Sequence, residues 1–453
     1  MNAPLYNALC ALADKKTARF HMPGHKGQDI LPEFGPLYRL DFTEVYETGN
    51  LYTGEGPIRL AEREAARLYQ AADCHFLTGG SSQGMHAMLY AAAGAGADVL
   101  LDRNCHKSAA HAAALLDLSA AFVFPAVLEP FGVPGMLNPD DIDRALGQNP
   151  AIRAVLITSP NYYGVRQDIP AIAAVCHAHG ARLLVDAAHG AHFPGIGLPS
   201  PIAERADLAA VSTHKTLYAP GQTAMLLSNG TVDSGLLREG AALFGTSSPS
   251  YLLLAGLDLA RAALEADDRY AQAAAAVSAL RGSLAARTPF LPLSGPPLDP
   301  CRLTLSAAGT DWTGHRLADT LYEQFGVACE MSDARNIVCI VTPADLPGNL
   351  TRLENALLAL SDAVGRAALP PALPPLPLPR TVMPVRRALL GPGRALPLDS
   401  VRPGMVCARP VTPYPPGVPV LWPGEEITPE HIVFLHDQCY NTIDRIAVCP
   451  SKF

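Results

Sequence analysis

The sequence predicts an α/β protein on a mostly parallel sheet, followed by a smaller α+β domain and a C-terminal module. Two observations carry this. From about Ile58 to about Ser228, helical stretches alternate with short apolar strands, the pattern of βαβ units. After about residue 286 strands and helices mix, and the pattern then breaks at a proline-rich run.

In chain order, residues 4–18 read as an amphipathic helix, followed by the Gly/Pro-rich loop Phe20-His21-Met22-Pro23-Gly24-His25-Lys26-Gly27. The alternating region predicts helices over 58–71, 83–93, 108–116 and 171–179. Between them fall strands at 99–101, 121–124, 154–157, 182–185, 208–211 and 224–227. A single Ala-rich helix over 250–284 is expected to connect domains. Beyond it come strands at 303–306 and 337–341 and helices at 314–325 and 350–367. The expected domains are an arm (1–50), a large domain (51–285), a small α+β domain (286–368), a Pro-rich linker (369–380) and a C-terminal module (381–453) that holds the turn-rich run 413–419. No internal repeat is present.

The 453 residues suffice for two or three domains with a sizeable core. A formal net charge of -8, from 34 basic and 42 acidic residues, argues against nucleic acid as a partner. The ten cysteines form no CxxC pair and no metal-like spacing. With no secretory signal, they read as reduced thiols in a cytoplasmic protein, and no metal site is expected. No stretch of about 20 residues is apolar and free of both charges and helix breakers, so no membrane span is expected.

The chemistry centres on two strand ends. Ala181-Arg182-Leu183-Leu184-Val185 runs into Asp186-Ala187-Ala188-His189-Gly190. Leu208-Ala209-Ala210-Val211 runs into Ser212-Thr213-His214-Lys215. Ligands of open α/β sheets collect at such ends. A lysine amine can condense with an aldehyde, and a carboxylate can pair with a pyridinium nitrogen so that the ring acts as an electron sink. Asp186 and Lys215 together therefore point to pyridoxal phosphate, although either alone would read as a turn former or a surface lysine.

Thr78-Gly79-Gly80-Ser81-Ser82-Gln83-Gly84 follows an apolar run and opens a helix. Its glycines, helix amides and the Ser81 and Ser82 hydroxyls could hold a phosphate, although such loops are also common as plain helix caps. His106, in Asp102-Arg103-Asn104-Cys105-His106-Lys107-Ser108, sits at a strand end where it could stack on a ring and move protons, or merely cap a helix. Thr158-Ser159-Pro160-Asn161-Tyr162-Tyr163-Gly164 follows another strand; its tyrosines could line the cofactor or be ordinary turn aromatics. Ser212 and His214 could add phosphate contacts, and His189 could bond a cofactor oxygen or the substrate carboxylate. Lys26 has no strand before it and no partnered Asp, so it is rejected as the cofactor lysine.

These residues, in this order, resemble the Orn/Lys/Arg decarboxylase family, the basic amino-acid decarboxylases of PLP fold type I. The likeness runs over nearly the whole chain. It includes Arg19–Gly27, Asp41-Phe42-Thr43-Glu44-Val45, the Asp102–Ser108, Asp186–His192 and Ser212–Lys215 segments, Thr246-Ser247-Ser248-Pro249-Ser250-Tyr251 and the Pro413–Gly417 segment. It is similar to the short form, without an N-terminal receiver-like domain. The resemblance implies an aspartate-aminotransferase-like large domain, with Lys215 as the Schiff-base lysine and Asp186 as the partner of the ring nitrogen. His106 would stack on the ring, and Ser81, Ser82, Ser212 and His214 would hold the phosphate. Thr246 and Ser247 would reach the neighbouring subunit's phosphate, so a homodimer or higher homo-oligomer is implied. Two departures stand out. Asp186-Ala187-Ala188-His189 replaces the family's Asp-Glu-Ala-His, and Thr48-Gly49-Asn50-Leu51 replaces an acidic pair.

The expected function is decarboxylation of lysine, arginine or ornithine to the amine and CO2, a step of polyamine biosynthesis. Lys215, His106, Asp186 and His189 are the expected catalytic residues. Asp41, Glu44, Glu47 and Glu55 are the candidates for the substrate's distal cation. The rivals are an aminotransferase or other PLP lyase, and a degenerate paralogue with a non-catalytic role.

Overall fold

The computed structural model describes residues 1–15, 17–372, 376–378, 380–413, 417–438 and 443–450. Parts of the proline-rich linker (373–375 and 379) and of the Pro413–Gly417 segment (414–416) lie outside the described residues.

Seven strands form the mostly parallel sheet: β1 (Asp73–Leu77), β2 (Asp98–Asp102), β3 (Ser119–Val123), β4 (Ile152–Thr158), β5 (Arg182–Asp186), β6 (Leu208–Ser212) and β7 (Ala224–Ser228). The chain divides into two compact units interleaved in sequence. One comprises Met1–Ala92 with Arg182–Ala271, the other Ala93–Ala181 with Gln272–Phe453. The first carries the run β1-β7-β6-β5 and the second β4-β2-β3. Pairs β5/β6, β2/β4 and β2/β3 are parallel; β7 is antiparallel to both β1 and β6. Strands covered on both faces need apolar side chains at every position, and Leu208, Ala209, Ala210 and Val211 are all buried.

The six strands read from the sequence are all present, each slightly longer than expected. Strand β1 is an addition, its apolar run interrupted by His75. The four helices read in this region are Gly56–Leu68, Gly80–Ala93, Ser108–Leu116 and Ile169–Ala178, and a fifth, Pro139–Gln148, was not read from the sequence. Asp168 caps Ile169–Ala178, its side chain accepting from the Ala171 amide at 3.1 Å.

Three helical expectations need correction, one of them the helix expected over 350–367, which is Gly348–Ser361. The first helix is Pro4–Asp14, four residues shorter than read. The single helix over 250–284 is two, Tyr251–Ala266 and Arg269–Arg287. Asp267 is extended between them, and its carboxylate accepts from the Arg269 amide at 3.1 Å. A side chain that caps a new helix defeats the surrounding alanine propensity.

In the second unit, four antiparallel strands, β8 (Leu291–Pro292), β9 (Arg302–Ser306), β10 (Met331–Ser332) and β11 (Asn336–Ile340), take the order β8-β9-β11-β10. Helices Gly314–Phe325 and Gly348–Ser361 pack Leu317, Leu321, Leu353 and Leu357 into their core. The C-terminal segment adds β12 (Arg394–Pro397) paired with β13 (Arg445–Val448) over a small core of Cys407, Leu421, Ile427 and Ile446.

Candidate active site

Register sets the two chemically active strand ends side by side. Asp186 of β5 lies opposite Ala210 of β6 in a parallel pair, and the Ala187 amide extends the ladder to the Ala210 carbonyl at 2.9 Å. Both chains then leave the sheet at the same edge. Lys215 sits in a single helical turn, Thr213–Thr216, directly beyond β6. Its Nζ lies 3.2 Å from His189 Nε2. Asp186 is buried and accepts from the Ala188 amide at 3.1 Å. Burial pushes its carboxyl above the usual range, while the Lys215 charge and the Ala188 amide pull it back. A buried carboxyl whose ionisation depends on a nearby cation suits pairing with a protonated ring nitrogen.

The glycine loop is tied to the lysine turn by residues that the sequence reading did not single out. Gly80 has φ +72°, a conformation that favours glycine, and its amide donates to the Gln222 carbonyl at 2.7 Å. The next residue, Thr223, meets the Thr213 hydroxyl at 2.8 Å, and its carbonyl meets His214 Nδ1 at 2.9 Å. Gln83 accepts from the Gly79 amide at 2.9 Å and donates to the Ala241 carbonyl at 2.6 Å. Gln83 lay in a segment already marked for phosphate. Gln222 and Thr223 had only the turn Pro220-Gly221 as a signal.

Ser81 is half-buried and Ser82 exposed at the start of the helix. Ser212 Oγ, Thr78 Oγ1 and Thr216 Oγ1 are buried with no hydrogen-bond partner among the described residues. Three such hydroxyls near a glycine loop, a lysine and a buried carboxyl fit a phosphorylated pyridine aldehyde: the hydroxyls lack an acceptor that a phosphate supplies.

Thr246 and Ser247 are exposed. Thr246 Oγ1 accepts from the Ser248 amide at 3.3 Å. The segment turns at Gly245, where a Cβ would stand 2.3 Å from the Tyr52 hydroxyl and 2.4 Å from Gln83 Nε2. Tyr52 and Gln83 thus fix where these two hydroxyls begin.

In the other unit, His106 caps the helix Ser108–Leu116. Its Nδ1 accepts from the Ser108 amide at 3.2 Å and lies 3.0 Å from Ser108 Oγ. In the neutral ring this leaves the proton on Nε2. The same loop is held from the C-terminal side: the Lys107 amide donates to the Gly417 carbonyl at 3.2 Å, and Arg103 pairs with Glu425 at 3.0 Å. The tyrosines of 158–164 have partners beside β10 of the same unit. Tyr163 donates to Asp333 at 2.8 Å, and Tyr162 bonds Glu330. Lys26 donates to the His21 carbonyl at 2.8 Å within the N-terminal arm.

Comparison with known proteins decides the family. The family model "Orn/Lys/Arg decarboxylase, major domain" matches residues 3–281, and "Orn/Lys/Arg decarboxylase, C-terminal domain" matches 385–438. The chain belongs to the Orn/Lys/Arg decarboxylase family. Arginine decarboxylase of Bacillus subtilis (strain 168) is 30% identical over 456 residues, covering 95% of this chain and 92% of the relative. Arginine decarboxylase of Halalkalibacterium halodurans is 29% identical, covering 96% and 93%. Among solved structures, the E. coli constitutive lysine decarboxylase has a TM-score of 0.81 at 20% identity, covering 99% of this chain and 82% of that one. This Orn/Lys/Arg decarboxylase therefore has the type I fold of pyridoxal-phosphate enzymes, and it is a decarboxylase. Among its described residues, no helix is long and apolar enough to cross a membrane.

Proposed function

We propose that this decarboxylase uses pyridoxal phosphate to remove the α-carboxylate of a basic amino acid, with arginine the leading substrate. The carrying observation is Lys215 Nζ, 3.2 Å from His189 Nε2 and close enough for its charge to offset part of the burial that raises the Asp186 carboxyl. Relatives named arginine decarboxylase that align along the whole chain support the choice of arginine.

Bound pyridoxal phosphate would supply an electron sink for the pair left when CO2 departs. Lys215 would hold its aldehyde through the amine. His189 could take or return a proton at Lys215 Nζ. Asp186 would pair with the ring nitrogen. Ser212, Ser81, Ser82 and His214 would hold the phosphate. His106, its Nδ1 occupied by Ser108, presents Nε2 for stacking geometry and for returning a proton to Cα. Thr246 and Ser247 complete the neighbouring subunit's phosphate site, making the enzyme a homodimer. None of its nine described cysteines forms a disulfide, in keeping with a cytoplasmic enzyme, and its amine product would enter polyamine synthesis.

The test is turnover of arginine, lysine and ornithine by the coenzyme-loaded protein, reading CO2 and amine by mass spectrometry. Release of CO2 with agmatine, cadaverine or putrescine supports the reading. Keto acid without CO2 would refute it.

A further inference from the structure

The structure separates the four acidic candidates for the substrate's distal cation. Asp41 is engaged: its Oδ2 lies 3.2 Å from His25 Nε2, and the His25 ring stacks on Tyr38 at 4.2 Å. Glu47 and Glu55 are exposed, where water makes an ion pair worth little. Glu44 differs from all three. Its Oε2 accepts from the Thr43 hydroxyl at 2.7 Å. Its Oε1 is closed off from solvent with no hydrogen-bond partner among the described residues. A carboxylate oxygen in that state is costly until a donor reaches it.

The surroundings say which kind of donor is missing. The Tyr52 and Tyr251 hydroxyls lie within the field of Glu44, and burial first, then the Glu44 charge, push both upward, Tyr251 to about 12. Both stay neutral at physiological pH, so they wall the carboxylate without balancing its charge. The neighbouring Thr48 hydroxyl is spent on the Thr43 and Val45 carbonyls, at 2.7 and 3.0 Å. Tyr52 also faces Gln83, the side chain that holds the Gly79 amide of the glycine loop. Glu44 is thus a half-buried carboxylate with one enclosed, unpartnered oxygen, linked through two side chains to the loop assigned to the cofactor phosphate.

We propose that Glu44 is the specificity carboxylate of this enzyme, its buried oxygen receiving the distal guanidinium or ammonium of the substrate. The proposal rests on the reading of the chain as a basic amino-acid decarboxylase. The nearby Thr48-Gly49-Asn50-Leu51 segment supplies no carboxylate: Asn50 Oδ1 accepts from the Tyr52 and Thr53 amides, at 2.8 and 3.3 Å, as part of a turn. Glu44 carries the charge instead.

The test uses the holoenzyme, wild type against Glu44→Gln and Glu44→Asp, with calorimetric binding of agmatine and of n-pentylamine, which lacks the distal cation. Coenzyme content and thermal transition control for folding. Glu44→Gln should weaken agmatine about 100-fold, the scale of an unpaired buried charge contact, and leave n-pentylamine nearly unchanged. Glu44→Asp keeps the charge but withdraws it by one methylene, and should weaken agmatine selectively by a smaller factor. It also serves if the Gln variant does not fold. Equal losses for both amines, or no loss for agmatine in either variant, would overturn the assignment. Wild-type enzyme that decarboxylates none of the three basic amino acids would instead sink the functional reading.

Discussion

Lys215 and His189 meet at 3.2 Å, nitrogen to nitrogen, across the ends of neighbouring parallel strands. One nitrogen must donate and the other accept, so the proton count of the pair is shared. Replacing Lys215 by Ala should abolish visible absorption of the bound coenzyme and any borohydride-fixed label, with turnover lost. Replacing His189 by Ala should leave the label on Lys215 and lower turnover by roughly 100-fold, the range of a lost proton-transfer group. Peptide mapping of the reduced protein checks both; a label on Lys26 would overturn the assignment.

Asp186→Asn tests the ring-nitrogen partner. The buried amide keeps the shape and removes the charge. The expected result is a folded protein with bound coenzyme and at least about 100-fold lower turnover. Near-normal kcat would mean that Asp186 does not face the ring.

The exposed Thr246 and Ser247 make a concentration-dependent prediction. If their hydroxyls complete a neighbour's phosphate site, coenzyme and subunits should come apart together on dilution. Changing both to Ala should loosen the coenzyme several-fold, at about 1 kcal/mol for each hydroxyl bond. Absorbance and sedimentation velocity over a dilution series give the answer. A fully loaded monomer would refute a shared site.

Buried His75 gives a stability prediction with a definite sign. Burial first, then the Arg238 charge, lower its pKa from 6.5 to about 4, although Asp73 lies 3.4 Å away. The folded state therefore binds this proton more weakly than the unfolded chain. The stability involved is complete above pH 6.5 and is lost as pH falls from 6.5 toward 4. The loss should be on the order of 1–3 kcal/mol. Urea unfolding at pH 7 and pH 4.5 should show it, and His75→Asn should shrink the difference between the two.

Glu425 and Arg103 are 1% exposed at their side chains and pair at 3.0 Å. Arg103 also lies over the Phe122 and Trp422 rings, at 4.8 and 5.9 Å. Glu425→Ala would leave a buried guanidinium uncompensated, a change worth about 3–5 kcal/mol. A matching drop in unfolding free energy is expected, with loss of protection from proteolysis in the C-terminal segment. Glu425→Gln should cost less, because it keeps an acceptor.

Much of this fold was legible because its signals are local. The helix Gly314–Phe325 has the ends read from the sequence: Thr313 accepts from the Arg316 amide at 3.1 Å, and Gly326 closes the helix at φ +63°. The helix break at Asp267 was hidden because alanines on both sides look continuous while one carboxylate changes the outcome. Within the candidate site, Asp186, Lys215 and the glycine loop stood out through residue type and strand context. Gln222 and Thr223 did not, because they act mainly through backbone carbonyls, which every residue has. Glu44 could not be told from its acidic neighbours, since an unsatisfied buried oxygen is a property of packing and not of sequence.

The Arg103–Glu425 pair also bears on synthesis. Partners 322 residues apart are not both available on a ribosome until nearly the whole chain has emerged. At roughly 5–20 residues per second, Arg103 waits about 15–65 s for its counter-charge. Throughout that interval the loop bearing His106 lacks its C-terminal anchor and exposes a lone guanidinium beside the Phe122 ring alone. The nascent chain should therefore be inactive and open to holding chaperones until its last segment folds back, and a message truncated before codon 425 should yield protein that accumulates poorly even though its lysine turn and glycine loop are intact.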